Sequence, residues 1–89
     1  MTVDERIRLA GNRKTPPETL AELSRDQDER VRYWLAQNRK TPVETLVELS
    51  RDQNHQVRRS VATNPKWKRL EEAGILDQVI AASKYLGIL

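Results

Sequence analysis

The block Asn12 to Gln27, NRKTPPETLAELSRDQ, returns at Asn38 to Gln53 as NRKTPVETLVELSRDQ, one 26-residue period further on and changed only at Pro17/Val43 and Ala21/Val47. A chain written twice in this way is expected to stack copies of one short unit, because a segment of this size cannot bury its apolar face alone. A third start at Asn64 keeps the same interval and then departs as NPKWKRL. The expected organisation is therefore one domain over residues 1–89: a partial N-terminal unit (1–11), repeats at 12–37 and 38–63, and a C-terminal cap at 64–89.

Each repeat reads as two helices. Thr15 precedes Pro16, Pro17 and Glu18, and Thr41 precedes Pro42, Val43 and Glu44, the spacing of a capping box with proline at the first helical position. Leu20 and Leu23, like Leu46 and Leu49, lie three apart on one face, with Glu18, Glu22 and Arg25 opposite. Asp28 then suits the N-cap of a second helix whose Val31 and Leu35 form a buried stripe, repeated by Val57 and Val61. Arg30, Tyr33, Gln37, Gln56 and Arg59 point outward, while Trp34 flanks the stripe and is read as packing. No segment sustains strand alternation, so the fold class is all-α.

The two ends depart from this pattern. At the N-terminus Leu9, Ala10 and Asn12 match Leu35, Ala36 and Asn38, but Glu5 stands where Val31 is expected, so the first unit is read as either incomplete or shifted by about two residues. At the C-terminus a short basic helix follows Pro65, Gly74 offers a break, and Ile75, Val79, Ala82 and Leu86, widened by Leu76 and Ile80, form the apolar stripe of a capping helix.

Several function classes are disfavoured at once. Without cysteine there are no disulfides, thiolate metal sites, iron–sulfur clusters or cysteine nucleophiles. No stretch approaches the roughly 18 apolar residues of a membrane span, and the N-terminus lacks a leader pattern, which together predict a cytoplasmic protein that does not act at a membrane. His55, in the first turn of a helix, has no second histidine for metal or acid–base work, and the repeated glutamates Glu18, Glu22, Glu44 and Glu48 suit a solvated face. The three glycines, Gly11, Gly74 and Gly87, make no phosphate loop. The expectation is a chain with no catalytic constellation, no metal and no cofactor.

The run VRYWLAQNRKTPVETLVELSRDQNHQVRRSVATNP resembles the leucine-rich repeat variant family, whose units follow the outline VRxxVAxNPxTPxxxLxxLAxD; the match spans residues 4–66. The resemblance implies α-helices alternating with short 3₁₀-like helices in a short right-handed helical-repeat solenoid, close to HEAT-type arrays, used for binding rather than chemistry. Arg13 and Arg39 replace the proline frequent in the family, making the loops more basic. The iron–sulfur domain of some family members has no counterpart here, for want of cysteine.

Charge then divides into two sets. Arg32 follows Asp26 by six residues, as Arg58 follows Asp52, and these pairs are read as structural bidentate contacts similar to the Asp–Arg ladder of HEAT-type repeats. Arg25 and Arg51 suit helix C-termini. What remains is a basic ridge of loop residues, Arg13, Lys14, Arg39, Lys40 and Lys66, joined by Arg59, Lys68 and Arg69, with Trp67 as an aromatic contact beside them. Residues 1–63 carry 12 basic and 10 acidic side chains, so the excess is local to the segment Gln53–Leu70, which has no acid. The expected function is a scaffold for another protein, an acidic one if the ridge is its site. Nucleic-acid binding along the ridge is the alternative, set against few aromatics (4%) for base stacking. Assembly as an oligomer or as part of a longer array is a third expectation.

Overall fold

A computed structural model describes residues 1–85, with side chains described through residue 82. It holds seven helices and no strand among the described residues: α1 (Val3–Gly11), α2 (Pro17–Leu23), α3 (Glu29–Gln37), α4 (Val43–Leu49), α5 (His55–Thr63), α6 (Pro65–Glu72) and α7 (Leu76–Tyr85). None of these is long and apolar enough to cross a membrane. The radius of gyration is 12.3 Å, close to the roughly 12 Å of a compact chain of this length.

Helices α1, α3 and α5 are capped in the same way. Thr2 Oγ1 accepts the Glu5 amide, Asp28 Oδ1 the Arg30 amide, and Asn54 Oδ1 those of Gln56 and Val57. Each cap satisfies backbone donors that the first helical turn leaves open. Because the three helices start at Val3, Glu29 and His55, one repeat period apart, the N-terminal helix stands in phase with the others rather than shifted. Glu5 is spared the core because it closes a capping box, its carboxylate accepting the Thr2 amide at 3.3 Å. Helix α3 packs between α1 and α5, and α2 and α4 pack against this row.

The threonines before the prolines have a different task from the one their spacing suggests. Pro16 and Pro42 occupy the N-cap positions of α2 and α4 in extended backbone, with no side-chain cap, so each threonine is one residue too early to reach the first-turn amides. Thr15 and Thr41 instead donate their hydroxyls to the Leu9 and Leu35 carbonyls at 2.8 and 2.7 Å, closing the C-terminal turns of α1 and α3. Of these two helices α2 alone has proline at its first position; in α4 that place belongs to Val43. Both are α-helices of seven residues rather than 3₁₀ turns.

The core contains the paired leucines, Leu20 with Leu23 and Leu46 with Leu49, and the stripes Val31/Leu35 and Val57/Val61. The two substitutions within the repeated block mark where the copies meet different neighbours. Ala21 and Pro17 are exposed, whereas Val47 is fully buried and Val43 packs against the core, because α6 and α7 cover α4.

Helix α6 ends in a glycine turn. Gly74 has φ +73°, its amide reaches the Glu71 carbonyl, and the Ile75 amide reaches back to Leu70, which satisfies the last open carbonyls of the helix. The buried face of α7 is rotated from the expected stripe. Leu76, Val79 and Ile80 pack against the core, while Ile75 is 39% exposed and Ala82 is exposed. Leu86, the last member of the expected stripe, lies outside the described residues.

Candidate functional site

Two polar ladders tie the row α1–α3–α5 together, one at each end of its helices. At the N-terminal edge Arg6 Nε donates to Asp26 Oδ2 at 2.6 Å, and Arg32 Nε to Asp52 Oδ2 at 2.7 Å. Arg32 also donates through Nη1 to the Asp26 carbonyl at 2.7 Å, so one guanidinium joins two successive turns. Its hydrogen bond to Asp52 raises the Arg32 pKa further. The carboxylate partner therefore lies 20 residues ahead, and only the backbone carbonyl lies six behind. The expected six-residue ion pairs give way to this arrangement because the arginine projects towards the following turn. Arg6, which sequence reasoning misses, is the first rung.

At the C-terminal edge the rungs are amides. Asn38 Nδ2 donates to the Ala10 and Asn12 carbonyls, 28 and 26 residues back, and its Oδ1 accepts the Lys40 amide. Asn64 repeats this with Ala36, Asn38 and Lys66. These asparagines also escape sequence reasoning; their periodic recurrence is the available signal.

The basic candidates fall on several surfaces. Arg13, Lys14, Arg39 and Lys40 are exposed in the turns of the C-terminal edge, where the Lys14 and Lys40 amides are pinned by Asn12 and Asn38. Lys66 is half-buried and its Nζ donates to the Thr41 carbonyl at 2.7 Å. Burial pushes its pKa down, and the nearby Lys40 charge pushes the same way. Lys66 thus fastens α6 to the Thr41 turn. Lys68 and Arg69 are exposed on α6, but Trp67 between them is only 6% exposed and belongs to the core. That corrects its assignment as an aromatic contact: α6 begins at Pro65, directly after Asn64, and so brings the indole inward. His55 is exposed, as expected.

Arg59 belongs to another surface, a groove of about 460 Å³ along α3 and α5. Its walls include Tyr33, Trp34 and Gln37 from α3 and Arg59, Ser60 and Thr63 from α5. The groove follows from one replacement: Ser60 holds the repeat position of Trp34, a small buried hydroxyl where the preceding copy has an indole. Gln37 Nε2 reaches Ser60 Oγ at 3.4 Å across its floor. Trp34 is 45% exposed, not packed away as its place beside the stripe suggests, and Tyr33 meets it edge-on with ring centroids 5.5 Å apart. An exposed indole held by a second ring is a preformed apolar contact surface with a polar handle.

The charges around the groove are unequal. Arg30 donates through Nε and Nη2 to the two Asp28 carboxylate oxygens, at 3.1 and 2.8 Å. That hydrogen-bonded pair holds the Asp28 pKa at about 2 and raises that of Arg30. Glu29 accepts the Asn54 side-chain amide at 2.9 Å. Arg59 makes no ion pair with any described acid. The groove therefore offers two aromatic rings, a set of amide and hydroxyl groups and one uncommitted cation, an arrangement suited to recognition. No group of three or more potential metal ligands occurs among the described residues. Comparison with protein-family models, with curated proteins and with solved structures gives no match to this chain.

Proposed function

We propose that the chain is a non-catalytic helical-repeat scaffold that binds another protein through the groove along α3 and α5. In this reading it is an array of the leucine-rich repeat variant type, a short right-handed solenoid of 26-residue, two-helix units with α6 and α7 as the cap. The recurrence of the asparagine rungs at the repeat period supports this architecture. The observation that carries the binding function is Trp34, 45% exposed at the lip of the groove beside Tyr33 and Arg59. Tryptophan, tyrosine and arginine are the residues that most often dominate binding energy at protein interfaces. The partner segment is one that sets an apolar side chain on the indole and an acidic one on Arg59, and the encounter takes place in the cytoplasm.

Proteins that co-purify with the wild-type chain should be lost with Trp34→Ala and with Arg59→Glu, while circular dichroism keeps its helical signal. If both variants retain every partner, the groove is not the site. Arg39→Glu with Lys40→Glu then decides whether the C-terminal edge is. That edge supports the second reading, nucleic-acid binding, because Arg13, Lys14, Arg39 and Lys40 are all exposed there on pinned turns. Phosphate contacts would make affinity fall steeply with salt. A low-salt titration in which neither duplex nor single strands bind removes that reading.

A further inference from the structure

The charged ladder of the N-terminal edge has an open rung at Arg58. The geometry points to this arginine as a socket for an aspartate carboxylate presented by a turn of a partner protein, at the end of the row α1–α3–α5. The inference rests on the scaffold reading and adds a second contact to it, apart from the groove.

Arg58 repeats half of the arrangement seen at Arg32. Its Nη1 donates to the Asp52 and Gln53 carbonyls, as Arg32 Nη1 donates to that of Asp26. The other half is missing. The residue 20 positions after Arg6 is Asp26 and after Arg32 is Asp52, each paired; after Arg58 it is Gln78. Arg58 is exposed and makes no ion pair with a described acid. Its Nε therefore takes no acceptor among the described residues, although one end of the guanidinium is already anchored. Anchoring lowers the conformational cost that an exposed arginine ordinarily meets on pairing.

The chain itself supplies the identity of the ligand. In both closed rungs the acceptor is an aspartate whose second oxygen takes a backbone amide two residues on, Asp28 N at 2.9 Å for Asp26 and Asn54 N at 2.9 Å for Asp52. Arg32 engages Asp52 with two nitrogens, at 2.7 and 3.3 Å. The socket is thus fitted to a short carboxylate fixed by its own turn, a planar acceptor matched to the guanidinium fork. A second copy of this chain is poorly placed to fill it, since Asp26 and Asp52 are both committed.

The test uses the full chain, labelled to follow arginine Nε–H resonances, and a capped peptide with the sequence Glu48–Gln56, ELSRDQNHQ. The Arg58 resonance should shift saturably with this peptide. Asp52→Asn within the peptide, and Arg58→Lys in the protein, should each weaken binding roughly tenfold, the loss expected for one charge-assisted contact. Equal binding by the asparagine peptide or by Arg58→Lys, or no shift at millimolar peptide, overturns the inference. So does displacement of the peptide by an equal concentration of inorganic phosphate, which would mark a general anion site. Self-association abolished by Arg58→Lys would make a second copy the occupant and also overturn it. Should Trp34→Ala lose a co-purifying protein that Arg58→Lys retains, with no peptide response, the scaffold reading stands and the socket falls.

Discussion

The two edges of the row α1–α3–α5 do the same mechanical task with opposite chemistry. At the C-terminal edge Asn38 and Asn64 are 4% and 2% exposed, and every rung is neutral. At the N-terminal edge the side chains of Arg6 and Arg32 keep 28% and 17% of their exposure, against 9% for each aspartate. Taking a guanidinium and a carboxylate fully out of water costs several kcal/mol per ion, so a charged rung is best left partly wet. An amide can be sealed in the interior provided each of its polar atoms finds a partner, as those of Asn38 do. The sealed edge should carry stability and the wet edge alignment and pH response.

The strongest way to break this contrast is at Asn38. Asn38→Ala removes the donor to the Ala10 and Asn12 carbonyls together with the acceptor of the Lys40 amide, and should cost about 2–4 kcal/mol in urea unfolding. Arg32→Ala should cost less, about 1–2 kcal/mol, because water can partly replace the lost donor at Asp52. If Arg32→Ala proves as damaging as Asn38→Ala, the division of labour between the edges is wrong.

Acid sharpens the contrast further. The folded pKa of Asp28 is about 2, below its ordinary value of 3.8, so protons bind the unfolded chain first. Its contribution should be complete above about pH 4 and fall away as pH drops towards 2. Melting temperatures across that window should fall more steeply in wild type than in Asp28→Asn, whose side chain keeps a cap acceptor without a titrating charge. Asn38→Ala should leave this acid limb unchanged in shape. The smallest effect belongs to Arg58→Ala: with no acid to desert, it should change stability by less than about 0.5 kcal/mol.

Much of the architecture is legible from residues. The leucine pairs, the valine stripes and the Asp28 cap follow from helical spacing, because each concerns contacts within a turn or two of chain. What escapes depends on neighbours far along the sequence. The two tryptophans illustrate this: Trp34 sits beside the apolar stripe yet stays open, because its counterpart in the next copy is Ser60. Trp67 sits among Lys66, Lys68 and Arg69 yet is buried, because α6 starts directly after Asn64, whereas α4 starts only at Val43, a full turn beyond Asn38. The Asp–Arg spacing selects the right residues and the wrong partners, since the side chain reaches forward across the stack and only the carbonyl lies behind. Thr15 and Thr41 mislead for a related reason: a hydroxyl can donate to the helix before it as readily as accept from the one after. Of the candidate site, the groove is invisible in the sequence because a cleft is a difference between two copies, and repetition displays what the copies share.

The ladders also run in opposite directions. On one edge the donor precedes its acceptor by 20 residues, and on the other it follows its acceptors by 26 and 28. A tandem duplication of residues 38–63 would add one rung to each ladder: the copied Asp52 would arrive 20 residues after Arg58 and the copied Asn38 26 residues after the original, while the copied Arg58 would take over the open place. An insertion slightly longer or shorter than one period would strand all three. Only a change by whole periods of 26 residues would therefore keep both ladders in register.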